Sequence, residues 1–170
     1  MPAIRLLAAT AALSLATLPA AAQEPKAVAT FESWTAYTYK TKKGPVCYIV
    51  SQPQKSEASR QGVKRDPAFF IVTNRPGVRH EVNTIIGYPF KKGAPVMLST
   101  DDGARFRLYS SKDGAWSDGP ATDRKIVAAM KAGRTMVITG ISARGTKTTD
   151  TYSLIGVKAG LEKIDQLCRK

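Results

Sequence analysis

Between residues 31 and 155 the chain is cut into short runs rich in Val, Ile, Thr, Tyr and Phe, separated by clusters of Gly, Pro, Asp and Ser. Runs of this length suit strands better than helices, and their residue types fit a pleated, half-buried surface. This pattern restricts the fold to a mainly β class: an antiparallel β-sandwich or partly open barrel. Strands are expected at roughly 31–39, 45–51, 68–74, 81–86, 95–99, 104–110, 134–142 and 148–155. In the run at 68–74 both Phe69, Ile71, Thr73 and the intervening Phe70, Val72 are apolar or β-branched, so burial on both faces is expected. Asp101-Asp102-Gly103 is a hairpin signal between two such runs. Gln52 to Pro67, polar and basic, reads as a long mobile connection.

Two short α-helices interrupt the strands. Asp123 is a candidate cap for a helix over Arg124 to Ala132, closed by Gly133, with Ile126, Val127 and Met130 inward. A second follows Gly156. Val157, Leu161, Ile164 and Cys168 fall on one stripe of a 3.6-residue repeat, so this C-terminal helix should pack on the sheet with Cys168 facing it. Glu162, Lys163 and Asp165 take the solvent side.

The first residues stand apart from this pattern. One positive charge at Arg5, an apolar run from Leu6 to Leu18 and Pro19-Ala20-Ala21-Ala22 form a signal peptide pattern, with cleavage expected after Ala22. The apolar run is shorter than the roughly 20 residues of a membrane span. Residues 23–30 are expected to form a flexible leader, and 31–170 a single domain. Export makes a disulfide the natural reading of two cysteines, Cys47 and Cys168, which allow one intramolecular pairing; two free thiols are the alternative.

Charge bounds the partners. Lys and Arg number 26 against 13 acids, a formal +13, and Arg5 is the only charged residue before Gln23, which leaves +12 after cleavage. That exceeds the magnitude of about 2–8 that keeps a small domain soluble. The expected partners are an anionic envelope component (a lipid head group, lipopolysaccharide or acidic polysaccharide) or an envelope protein. Nucleic acid is not expected: the compartment is wrong and no aromatic-interleaved basic motif appears. No later segment is apolar enough to span a bilayer, and nothing here fixes the oligomeric state.

Catalytic chemistry finds little to use. The one histidine, His80, lies in a basic turn and reads as a surface residue; no G-x-S-x-G elbow offers a nucleophile. One histidine and two cysteines do not make a zinc set, and Asp101-Asp102 lacks calcium-loop spacing. No catalytic residue, metal or cofactor is therefore assigned. The hydroxyl-rich stretch Ser142 to Leu154 resembles a site at first sight. Strand alternation puts Thr149, Thr151 and Ser153 on one face and Asp150, Tyr152 and Leu154 on the other. Ser142 to Lys147 becomes a hairpin turn, and Arg144 and Lys147 remain as candidate anion contacts.

Several stretches resemble the invasion-associated locus B family of alphaproteobacterial envelope proteins. They are Trp34 followed by Tyr37, V-C-Y-I at 46–49, V-T-N-R-P at 72–76, G-Y-P-F at 87–90, G-A-W at 114–116, S-A-R-G-T at 142–146, D-T-Y-S-L at 150–154 and Cys168. The resemblance implies an exported, periplasmic or envelope-associated protein, brings no enzymatic activity, cofactor or catalytic residue with it, and strengthens the Cys47–Cys168 disulfide; the expected function is non-catalytic binding. In pathogenic members the family is tied to host-cell entry. The remaining alternatives are a lipid or small-molecule carrier with a cavity inside the sheet, and an enzyme of unfamiliar type.

Overall fold

A computed structural model describes residues 24–169, so the expected signal peptide at 1–22 lies outside the described residues. The strands are β1 (Lys26–Phe31), β2 (Trp34–Thr41), β3 (Gly44–Ser51), β4 (Lys55–Ala58), β5 (Phe69–Arg75), β6 (Val78–Ile85), β7 (Val96–Thr100), β8 (Arg105–Ser111), β9 (Gly114–Trp116), β10 (Thr135–Ile141) and β11 (Lys147–Ser153). Helix α1 (Pro120–Ala132) joins β9 to β10, and α2 (Val157–Leu167) follows β11. The strands form one sheet in the order β1-β2-β3-β5-β6-β9-β8-β7-β10-β11-β4. Neighbours pair antiparallel throughout. Its edges, β1 and β4, do not pair with each other, so the sheet stays open rather than closing into a barrel.

The sheet bends over its own apolar face. The Trp34 indole N–H on β2 donates to the Ser153 carbonyl on β11 at 3.0 Å, and the Phe70 and Tyr152 rings meet edge-on at 6.0 Å. Alternation supplies this face: along β10, Met136 and Ile138 point inward while Val137 and Thr139 are half-buried. Trp34, Ile49, Phe70, Leu98, Leu108 and Tyr152 fill the interior as one cluster.

Helix α2 buries Val157, Leu161 and Ile164 against β1, β2, β3 and β5, with Gly160 seated against Ile49. Burying each of those three side chains contributes about 1.5–3 kcal/mol. One disulfide then joins Cys47 on β3 to Cys168 at the end of α2, closing 121 residues.

Several expectations need correction. The leader is structured: Lys26–Phe31 adds a strand to β2, and the run expected at 31–39 breaks at a tight turn where Glu32 adopts φ 51°. The connection Gln52 to Pro67 contains β4, whose backbone pairs with the otherwise open edge of β11 although all four of its side chains are exposed. On β5, Phe70, Val72 and Asn74 are buried, but Phe69, Ile71 and Thr73 are half-exposed, because an antiparallel sheet here has one core face. Helix α1 starts before Asp123. Pro120 opens it, its fixed φ being suited to a first helical residue, after Gly119 at the cap position. Asp123 is buried and accepts hydrogen bonds from Val82 N–H at 3.1 Å and the Ser117 hydroxyl at 2.6 Å, fastening α1 to β6.

Candidate functional site

Two surface clefts bring charged side chains together. The first, about 770 Å³, lies between the Arg75–Arg79 turn and the end of α2, beside Cys168. Two of its cations are matched, while Arg169 and Glu162 line it as one charge of each sign, unpaired among the described residues. Arg75 pairs with Glu81 at 2.8 Å and Arg79 with Asp165 at 2.6 Å. Asp165 does not simply face solvent, as its helix position suggested: it also accepts from Asn74 Nδ2 and meets His80 Nε2, both at 2.8 Å. His80 is correspondingly buried rather than a surface residue, with φ 56° and its backbone N–H donating to Asn74 Oδ1. This cluster ties the β5–β6 turn to α2.

The cluster carries a pH dependence. Burial pushes the His80 imidazole below its ordinary value of 6.5, outweighing Asp165, while Arg79 and Lys131 push it down further. Burial raises the Asp165 carboxyl, but hydrogen bonds from Arg79 and Asn74 and the charges of His80 and Arg79 bring it below 3.8. Both groups bind protons more weakly folded than unfolded. Stability should therefore fall as pH drops below 6.5 through the His80 range, and fall again below 3.8 as Asp165 protonates. A pH series of urea midpoints checks this: His80→Gln should flatten the upper step and leave the lower one, and an unchanged upper step would refute the assignment.

The second cleft, about 820 Å³, is built by three segments distant in sequence: the end of the β4–β5 connection, the Gly87-Tyr88-Pro89 turn and the β10–β11 hairpin. Gly87 sets how closely two of them approach. It adopts φ 77°, and a Cβ there would stand 2.0 Å from the Asp66 carbonyl oxygen, whose residue donates its N–H to the Gly87 carbonyl at 3.1 Å. Gly87→Ala should push the Arg60–Asp66 segment away and cost about 1–3 kcal/mol of strain. Thermal unfolding and protease cleavage within 60–66 read this; unchanged values for both would contradict it.

Arg65 buttons the same segment down. Its guanidinium pairs bidentately with Asp150, and donates to the Ile86 carbonyl and the Ser56 hydroxyl, each at 2.9 Å. Its side chain is 14% exposed and that of Asp150 0%. The hydrogen bonds to Asp150 hold Arg65 above its ordinary value, against the effect of burial. Tyr88 lies beneath the guanidinium and shares a hydrogen bond with the Thr148 hydroxyl. Across the cleft, the hairpin is fixed by Ser142 N–H to Thr146 O at 2.9 Å, Thr146 N–H to Ser142 Oγ at 3.1 Å and Ala143 N–H to Pro89 O at 2.8 Å.

On this frame Arg60 and Lys64 stand on one rim and Arg144 on the other. All three are exposed, and among the described residues none takes part in an ion pair. With Arg65 neutralised by Asp150, the lining carries three uncompensated cations against one acid, Asp66. Of the two anion contacts expected from sequence, Arg144 lines the cleft; Lys147 begins β11, where its backbone binds Ser59, and lies outside the lining. Arg60 and Lys64 belong to a connection whose only sequence signal was its basic, polar composition. Among the described residues no group of His, Cys, Asp and Glu is placed to hold a metal, and no helix is long and apolar enough to cross a membrane.

Fold and site together define an open antiparallel β domain, clamped by one disulfide and carrying a cationic surface cleft. The profile of the invasion associated locus B (IalB) protein family matches residues 34–165, and the chain belongs to that family. A similar solved structure is that of invasion associated protein B from Bartonella henselae, with a TM-score of 0.58 and 18% identity over 86% of this chain and 97% of that one. At that identity the likeness concerns the fold. No curated protein matches the chain.

Proposed function

We propose that this IalB-family protein is an exported, non-catalytic envelope protein that binds an anionic group of an envelope component in the cleft between Arg60–Asp66 and Ser142–Thr146. One observation carries the reading: Arg60, Lys64 and Arg144 face a common volume with no carboxylate paired to them. Opposed cations held on fixed rims favour an anion by charge complementarity, and an acidic polysaccharide, a lipopolysaccharide phosphate or a lipid head group each supplies one. Export is supported by the residue pattern before Gln23. A non-catalytic role is supported by His80, the only imidazole, being buried against Asp165 and Asn74 rather than set beside a nucleophile. The family's name and that of the Bartonella henselae protein point to host-cell interaction as the setting in which such binding would serve.

Affinity capture from an envelope extract, eluted over a salt gradient, tests this. A partner held by the cleft should be retained by the native protein at physiological salt and lost from an Arg60→Ala/Lys64→Ala/Arg144→Ala variant. Equal retention by both would remove the cleft from the account. Elution of every partner at moderate salt from both would mean unspecific charge attraction.

A further inference from the structure

The cleft is not cationic alone. Val63, in the Arg60–Asp66 segment, is 42% exposed, and Tyr88, Pro89 and Ala143 line the same cleft. A single exposed valine needs no explanation. This one sits between Gly62 and Lys64, with Arg60 three residues before it and Arg144 on the facing rim. The segment is anchored on both sides, by Ser59 to Lys147 before it and by Arg65 to Asp150 and Asp66 to Gly87 at its end, which leaves Val63 exposed on a fixed base. An exposed apolar side chain among uncompensated cations is matched by a surface with phosphates outside and hydrocarbon just beneath. A soluble acidic glycan or a free phosphate supplies only the first of these.

Building on the binding reading above, we propose that the occupant of this surface is an anionic lipid leaflet: Val63 enters between head groups while Arg60, Lys64 and Arg144 lie against lipid phosphates. Each cation near an anionic surface contributes about fivefold in partitioning, so the three together supply roughly a hundredfold. Val63 adds a further factor of about three to ten by leaving water.

The test is co-sedimentation of the full mature chain with vesicles of phosphatidylcholine carrying 30% phosphatidylglycerol, and with pure phosphatidylcholine vesicles, alongside binding of a soluble acidic polysaccharide (hyaluronate). Expected are partitioning onto anionic vesicles only, a loss of roughly a hundredfold in Arg60→Ala/Lys64→Ala/Arg144→Ala, and a loss of about three- to tenfold in Val63→Ser. Val63→Ser should leave hyaluronate binding, where present, unchanged. Both variants alter exposed side chains, and unchanged circular dichroism would verify their folding. Cleft-dependent hyaluronate binding without vesicle partitioning would overturn the lipid proposal and leave the binding reading standing. Vesicle partitioning indifferent to the cleft triple would overturn the lipid proposal, and hyaluronate binding equally indifferent to it would overturn the binding reading as well. Full retention by Val63→Ser would overturn the insertion.

Discussion

Replacing Cys47 and Cys168 together by serine is expected to lower the urea midpoint by an amount equivalent to about 4–5 kcal/mol. The disulfide closes 121 residues, nearly the whole described chain, so its loss returns a large conformational freedom to the unfolded state. Its folded-state effect is local by contrast. Cys168 is the residue that ends α2, and α2 covers the β1-β2-β3-β5 part of the core. Without the crosslink, α2 should be the first element to exchange its amide protons. Thr38 Oγ1 lies 3.5 Å from the Cys47 sulfur and offers a replacement hydroxyl a partner, so the loss reports the crosslink rather than an orphaned polar group. Equal midpoints for the native and doubly substituted proteins would contradict the account.

Arg65→Ala should cost about 3–5 kcal/mol, the size of effect seen when one member of a buried pair is removed. Asp150 would remain fully buried on β11 with the Ser56 hydroxyl as its one other hydrogen-bond partner. The effect should diminish when Asp150 is changed as well, because the uncompensated charge disappears. A double-mutant cycle on Arg65→Ala and Asp150→Asn by urea denaturation therefore should show coupling well above 1 kcal/mol. Additive losses would mean that the pair holds the loop without a desolvated charge. The substitution should also release the Arg60–Asp66 segment and weaken the cleft, since Arg65 is the side chain that carries this connection back to Ile86 and Asp150.

Which features were readable in the sequence follows from which forces made them. Strands with alternating or continuous apolar residues, such as β3, β5, β7 and β10, announce the core they bury. So does α2, through the stripe of Val157, Leu161 and Ile164. Strand β4, Lys55–Ala58, has no such signal: its backbone completes an open edge while its side chains stay in water. Strand β1 reads as a leader because Lys26, Ala27 and Ala29 have weak strand preference and the strand has one partner only. His80 and Asp123 look like ordinary polar residues, and their burial depends on Asp165 and Val82, which lie 85 and 41 residues away. The hairpin at 142–147 and its Arg144 were readable from alternation and Gly145. The other half of the cleft was not, because Arg60 and Lys64 are placed by Arg65 reaching Asp150 across 85 residues.

The claim that the cleft binds an anion is tested most directly by comparing two triple variants of equal charge. One removes Arg60, Lys64 and Arg144; the other removes Lys26, Lys125 and Lys158, three exposed lysines outside the cleft lining. Binding to purified lipopolysaccharide, hyaluronate and phosphatidylglycerol vesicles is measured for both at 0.15 M salt, where exposed charges are screened beyond about 8 Å. The account predicts at least a tenfold loss for the cleft variant against less than about threefold for the control, on the same ligand. Equal losses in the two variants would show that net charge, and not the cleft, attracts the ligand.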